Sequence, residues 1–130
     1  MVMPMHKLQR QSPDAMTRLV DYMFYHEKEI RRAVTRRKVC TGNDAEVLKI
    51  ALSDGTSVVY PDRWLTVIEH TYRHLEGLAP CVREKYMRKD WKDIVTRLGV
   101  SKDRYYNAVN EARAFAKCAA CQLGIIRVIE

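Results

Sequence analysis

The glycines of this sequence occur singly, and together with proline they divide it into segments whose apolar residues recur at helical spacing. Pro13, Pro61 and Pro80 each stand where a helix would begin. Proline is tolerated there because the first helical N–H has no intrahelical partner. The predicted helices cover residues 13–38, 61–76 and 80–88. The helix at 61–76 is expected to present one apolar stripe, formed by Trp64, Ile68, Tyr72 and Leu75. An all-α fold with a long N-terminal helix is therefore expected.

Residues 43–60 fit two local structures. One is a helix that begins at Asn43-Asp44 and runs through Leu52, because both polar side chains are common helix caps. The other is a β-hairpin, because Asp54-Gly55 lies between two apolar runs and is typical of a tight turn. The helix is the prediction for this segment, with the hairpin as its alternative.

Charge is distributed unevenly along the chain. The 130 residues carry a formal net charge of +7. Residues 1–38 and residues 81–130 each carry a net charge of +5, whereas residues 39–80 carry −3. Two basic ends around an acidic middle favour binding to a polyanion, because neutralised phosphates release their counterions. A solvated basic surface is the alternative.

Residues 91–108 have the pattern of a helix-turn-helix. Asp90 and Asp93 suit a capping box at the start of the first helix. Gly99 suits the left-handed residue that ends this helix, and Ser101 suits the N-cap of the second helix. Two helices that meet across a short turn need apolar residues on their inner faces. The inward positions are Ile94, Leu98, Val100, Tyr105 and Ala108.

In a DNA-binding helix-turn-helix, the outward residues at the start of the second helix enter the major groove. Asn107 and Asn110 carry amides that pair bidentately with adenine, and Tyr106 suits a thymine methyl or a phosphate. Asp103 suits the first turn, where the helix dipole stabilises an anion, or cytosine N4. The predicted DNA-binding residues are Ser101, Lys102, Asp103, Arg104, Tyr106, Asn107, Asn110 and Arg113, of which Lys102, Arg104 and Arg113 are expected on phosphates; Lys89 and Lys92 are expected on the DNA backbone.

The chain has the size of one globular domain. With 47% hydrophobic residues, it can form a core without disulfides or a metal. The predicted parts of this single domain, residues 1–130, are a mobile N-terminus at 1–11, a helical part at 12–78, a helix-turn-helix part at 80–124 and a tail at 125–130. The second helix is expected to continue to Gln122, with an inward face formed by Tyr105, Ala108, Ala112, Phe115 and Ala119. The apolar tail is expected to be buried or to pair across a dimer.

Parts of the helix-turn-helix segment resemble a known family. Residues 84–86, 91–98 and 101–107 resemble the C-terminal part of RinA/ArpU-like phage transcriptional regulators, which are similar to the helix-turn-helix in the fourth region of sigma factors. The resemblance extends more weakly to residues 64–69, 115–116 and 123–126, and so covers about the last half of the chain. Val95 departs from the pattern, because alanine is usual where the two helices cross.

The resemblance implies a phage or prophage protein that binds promoter DNA and activates late genes together with host RNA polymerase. A small terminase subunit that marks a genome for packaging is one alternative. A sigma-like module that binds polymerase without binding DNA is another. A homodimer remains open, as do the operator, the sign of regulation and the role of residues 1–38.

Cys118 and Cys121 form a C-x-x-C, and His70 and His74 form an H-x-x-x-H, which together would supply four ligands for zinc. Both cysteines fall within a predicted alanine-rich helix rather than a zinc knuckle, so buried thiols are the expected role. No two glycines lie close enough for a phosphate-binding loop. Neither enzymatic activity nor a metal or other cofactor is predicted.

No apolar stretch approaches the roughly 20 residues that a membrane span requires. The N-terminus lacks the apolar core and the cleavage site of a secretory signal. We therefore expect a protein of the bacterial host cytoplasm, with no membrane partner.

Overall fold

The computed structural model describes residues 15–126, which are mostly helical. The described part of helix α1 is 15–25, and the other helices are α2 (Glu27–Thr41), α3 (Pro61–Leu75), α4 (Ala79–Tyr86), α5 (Trp91–Leu98) and α6 (Lys102–Gln122), with a 3₁₀ turn (Glu76–Leu78) before α4. Strands β1 (Lys49–Ala51) and β2 (Ser57–Val59) form an antiparallel hairpin. The all-α class is confirmed. Among the described residues, no helix has both the length and the apolar composition needed to cross a membrane.

Helix α3 lies at the centre of the core and follows the sequence closely. Pro61 occupies its first turn, as predicted. The apolar stripe expected on this helix is buried along its whole length. Its members are Trp64, Ile68, Tyr72 and Leu75. Helices α2, α4 and α6 all pack against α3, so this stripe is where the two halves of the chain meet.

Helix α6 runs antiparallel to α3. Arg63, near the start of α3, donates to the carbonyl oxygen of Leu123 at 3.0 Å, and His74, near the end of α3, lies 2.8 Å from Glu111. The inward face predicted for α6 is confirmed, although Phe115 is only half-buried. Its fully buried predicted members are Tyr105, Ala108, Ala112 and Ala119. Small side chains on this face let α6 lie close to its neighbours.

The helix predicted from residue 43 to Leu52 is wrong, and the hairpin alternative is correct. Ile50 and Val58 are opposite each other in the register and are both buried, whereas the flanking strand residues are exposed. This alternation has the two-residue period of a strand, so only a hairpin places one apolar face on the core. Gly55 has a φ of 87°, and Asp54 Oδ1 accepts a hydrogen bond from the backbone N–H of Thr56.

The single long helix predicted for residues 13–38 is also incorrect. The helical conformation is interrupted at His26, which has φ −105° and ψ 15°, and α2 continues to Thr41. The His26 ring stacks on Tyr22 with the ring centroids 4.0 Å apart, and its Nδ1 lies 2.8 Å from the Tyr22 carbonyl oxygen. The backbone N–H of His26 still donates to the same carbonyl oxygen at 3.0 Å, so the ring and the backbone share this acceptor where the helical conformation is interrupted. The predicted cap Ser12, Pro13 and residues 1–11 lie outside the described residues.

Asp62 holds three parts of the N-terminal half together. Its Oδ2 accepts a 2.7 Å hydrogen bond from the backbone N–H of Val47, and its Oδ1 accepts a 3.0 Å bond from Lys38 Nζ. It thereby connects α2 and the segment before the hairpin to the first turn of α3. The hydrogen bond to Val47 is partly buried, so water replaces the carboxylate less readily there than at an exposed site.

We expect Asp62→Ala to lower the free energy of unfolding by about 1–3 kcal/mol, because the Val47 N–H loses its acceptor. Asp44→Ala is the matched control, since Asp44 is exposed and makes no side-chain hydrogen bond to the described residues. Urea unfolding followed by circular dichroism measures both variants. Equal stabilities of the two variants would contradict this role for Asp62.

Candidate nucleic-acid interface

The predicted helix-turn-helix is present, and its turn is built as expected. Gly99 follows α5 with φ 68°, in the left-handed region that favours glycine. The N–H groups of Gly99 and Val100 both donate to the carbonyl of Val95. Ser101 caps α6, because its Oγ accepts a 3.1 Å hydrogen bond from the backbone N–H of Arg104. The turn therefore fixes the direction in which α6 leaves α5.

The inner faces of α5 and α6 pack as predicted. Ile94, Tyr105 and Ala108 are almost completely buried. Leu98 and Val100 are half-buried and pack against the same core. These contacts orient the two helices relative to each other and expose the opposite side of α6.

The capping box predicted at the start of α5 does not form. Asp90 has the extended backbone of an N-cap residue, and its carbonyl oxygen accepts from the N–H of Ile94, but its side chain makes no capping hydrogen bond. Asp93 lies in the first turn of α5 and is exposed. The start of this helix is therefore set by packing and backbone hydrogen bonds rather than by a side-chain cap.

The residues predicted to face DNA lie together on the exposed side of α6, at its N-terminal end. The exposed members of this surface, which we call the recognition face, are Ser101, Lys102, Asp103, Arg104, Tyr106, Asn107 and Asn110. Within residues 15–126, the amides of Asn107 and Asn110 make no hydrogen bond. Tyr106 is 42% exposed although it is a large aromatic side chain. The recognition face therefore presents unused hydrogen-bonding groups on a rigid helix.

Arg113 differs from the other predicted residues. Its guanidinium binds Asp21 through two hydrogen bonds of 3.0 and 2.9 Å, and the Tyr86 hydroxyl donates to the same carboxylate at 2.5 Å. Burial, together with the hydrogen bond to Asp21, raises the pKa of Tyr86. This network joins α1, α4 and α6. Arg113 therefore has a structural partner within the chain, and its phosphate contact stays a prediction.

Two lysines lie close to the Trp91 ring. Lys102 Nζ is 5.0 Å from the centroid of the Trp91 ring and 5.9 Å from that of Tyr106, and Lys92 Nζ is 5.9 Å from Trp91. Cations at this distance from an aromatic face are attracted to it. Both lysines remain exposed, so their ammonium groups stay accessible to an anion beside the recognition face.

Glu84 connects α4 to α5, a contact that the sequence analysis missed. Arg97 binds both of its carboxylate oxygens, and Lys89 Nζ lies 3.3 Å from Oε1. The hydrogen bonds from Arg97 lower the pKa of Glu84 from its ordinary 4.5 to about 2. Lys89, predicted on the DNA backbone, is therefore partly neutralised by this carboxylate. Glu84 and Arg97 are 13 positions apart in sequence, and no local spacing rule predicts such a pair.

The histidines and cysteines considered as zinc ligands lie in environments unlike a zinc site. His74 stacks on Phe115 with ring centroids 4.3 Å apart and contacts Glu111. The expectation of buried thiols is wrong for this pair, because Cys118 is exposed and Cys121 is only half-buried. In the portion of the chain from 15 to 126, no group of three or more His, Cys, Asp or Glu residues has the arrangement to hold a metal ion.

No protein family, curated protein or solved structure matches the chain. The interpretation of the recognition face therefore depends on its own geometry and chemistry.

We expect Gly99→Ala to destabilise the protein by about 1–2 kcal/mol, because an L-residue is strained in the left-handed region. Gly77→Ala is the control. An added Cβ has no neighbour within 4 Å at either position, but only Gly99 has a positive φ. Gly77→Ala should be neutral or stabilise by about 0.4–1 kcal/mol. Thermal unfolding compares the two, and equal effects would show that the turn does not depend on this conformation.

The contribution of Glu84 to stability should depend on pH. A carboxyl whose pKa is lower in the folded state stabilises the protein above its unfolded pKa, near 4.5, and this contribution disappears as pH falls towards 2. We therefore expect Glu84→Gln to be less stable than the unchanged protein at pH 7, with the difference shrinking at pH 3. Urea unfolding at both pH values measures this. A difference that is independent of pH would contradict the ion pair with Arg97.

Proposed function

We propose that this protein is a sequence-specific DNA-binding protein that inserts the N-terminal half of α6 into the major groove. The observation that carries the proposal is the recognition face itself. It consists of polar side chains with unused hydrogen-bonding groups, at the start of the second helix of a helix-turn-helix. A groove-binding helix needs this combination of exposed chemistry and fixed direction.

The chemistry of the recognition face suits duplex DNA. The amides of Asn107 and Asn110 match the acceptor and donor pair that adenine presents in the major groove. Tyr106 offers both a ring edge for a thymine methyl and a hydroxyl for a phosphate. The carboxylate of Asp103 lies in the first turn of α6, where the helix dipole favours it and where it would accept from cytosine N4.

Cations surround the recognition face and suit the DNA backbone. Lys102 and Arg104 lie on α6, and Lys92 lies on α5 next to Trp91. All three are exposed and make no ion pair with the described residues. Lys89 belongs to the same group, although Glu84 partly compensates its charge. Such cations position a protein on the duplex without reading its sequence.

The biological role that we propose is transcriptional regulation in a phage or prophage, with host RNA polymerase as a further partner and late-gene activation as the outcome. This part of the proposal rests on the resemblance of residues 84–86, 91–98 and 101–107 to RinA/ArpU-like regulators. We propose that the protein acts in the cytoplasm of the bacterial host. A homodimer would require an operator with two symmetric half-sites.

Selection from a random duplex library, repeated at two salt concentrations, tests the proposal. A defined motif that persists at the higher salt supports sequence-specific binding, and a palindromic motif indicates a dimer. Binding that disappears uniformly with salt, or no binding, would overturn the proposal. Light scattering then separates a small terminase, which forms rings, from the proposed regulator, which is a monomer or dimer. A polymerase-binding module would instead bind polymerase and no duplex at moderate salt.

We expect Asn107→Ala to weaken binding to the selected motif by about 1–3 kcal/mol, because one bidentate base contact is lost. Binding to unrelated duplexes should change little. Gln122→Ala is the matched control, since it removes an exposed amide at the other end of α6. Fluorescence anisotropy with both duplexes measures the effect. Equal losses on the two duplexes would exclude Asn107 as a base-reading residue.

A further inference from the structure

Arg88 adopts an unusual backbone conformation at the entrance to the helix-turn-helix. Its φ is 64°, in the left-handed region that glycine normally occupies. The residue follows α4 in a Schellman arrangement, because its N–H donates to the Lys85 carbonyl at 3.0 Å and the N–H of Lys89 donates to the Glu84 carbonyl at 3.3 Å. Glycine would satisfy this turn without strain. The backbone conformation at this position therefore favours glycine, yet the residue is an arginine.

The Arg88 side chain does not compensate for this strain by burial. It is exposed, and within residues 15–126 its guanidinium makes no hydrogen bond or ion pair. The guanidinium carbon lies 4.3 Å from the centroid of the Tyr25 ring. Lys85 also holds this ring, since its Nζ donates to the Tyr25 hydroxyl at 3.0 Å. Stacking orients the guanidinium but leaves its N–H groups unused.

Arg88 borders an open groove between α1, the α4–α5 turn and the start of α6. Tyr25, Lys85, Arg88, Lys89, Trp91 and Tyr106 all line this groove. The lining includes one acidic residue, Asp90, and three cations that are not buried, of which Lys89 is partly compensated by Glu84. Arg113, at the far side, is already paired with Asp21. The groove is therefore positively charged and directly adjoins Tyr106 of the recognition face.

We infer that Arg88 binds a backbone phosphate of the same DNA duplex that the recognition face reads. The inference rests on the proposed function. A planar guanidinium stacked on an aromatic ring presents its remaining N–H groups in a fork that matches two phosphate oxygens. The groove lies beside α6 rather than on its outward side, so the phosphodiester chain at the edge of the major groove is the part of the duplex that meets it. Strain at functional residues is a common feature of such sites.

The test compares Arg88→Gly, Arg88→Lys and Lys49→Ala. Arg88→Gly removes the side chain and relieves the left-handed strain, so its unfolding temperature should equal or exceed that of the unchanged protein. Its affinity should fall about fivefold on both specific and unrelated duplexes, and the slope of log K against log salt should become smaller by about one. Arg88→Lys retains the charge and should retain the slope. Lys49→Ala removes a charge on the hairpin, which packs on α2, and should leave both quantities unchanged.

The outcomes separate this inference from the proposed function. If the unchanged protein binds its duplex and Arg88→Gly has the same affinity and salt slope, the phosphate contact is wrong while the proposed function stands. If Lys49→Ala lowers the slope as much as Arg88→Gly does, the effect is general electrostatics and the inference also fails. If the unchanged protein binds no duplex at any salt concentration, both proposals are overturned.

Discussion

The packing of α6 on α3 is the constraint on which the rest of the structure depends. The inward side of α6 is largely alanine, so the helix can lie close to the large buried side chains of α3, such as Trp64 and Ile68. With 21 residues and a rise of about 1.5 Å per residue, α6 is a rod of about 31 Å. Its C-terminal part belongs to the core and its N-terminal part carries the recognition face. The direction of Asn107 is therefore set by contacts of Ala116 and Ala120, several turns away.

Much of this fold could be predicted because the signals are local. Pro61 begins α3, Gly99 ends α5 and Ser101 caps α6, each through a local backbone requirement that few residue types satisfy well. The hairpin could not be predicted with the same ease, because the apolar runs around Asp54-Gly55 are short enough to fit a helix or a strand. Only the face that these residues bury distinguishes the two structures. The break at His26 coincides with a ring contact to a carbonyl oxygen four residues earlier, which helical periodicity does not reveal.

The membership of the candidate site could be predicted only in part. Helical spacing identifies the residues that face outward, and the structure places Tyr106, Asn107 and Asn110 on the exposed side as expected. Spacing does not reveal which charged side chains already form an ion pair with another residue of the chain. Arg113 is paired with Asp21, 92 positions away in sequence, and only the packing of α1 against α6 makes that pair. A long-range partner compensates the charge of a residue without leaving any local signal in the sequence.

Attraction and discrimination are carried by different parts of the molecule in the proposed complex. The outer side of α2 carries Lys28, Arg32 and Arg36 at four-residue intervals, all exposed and without an ion pair among the described residues. The recognition face, in contrast, sets the cations Lys102 and Arg104 against one carboxylate, so its own net charge is small. Charge attracts every duplex alike. The preference of the recognition face for one sequence must therefore come from hydrogen bonds, which depend on geometry. Accuracy in the placement of α6 is then a requirement of function, and the alanine face that fixes this placement contributes to recognition although it touches no DNA.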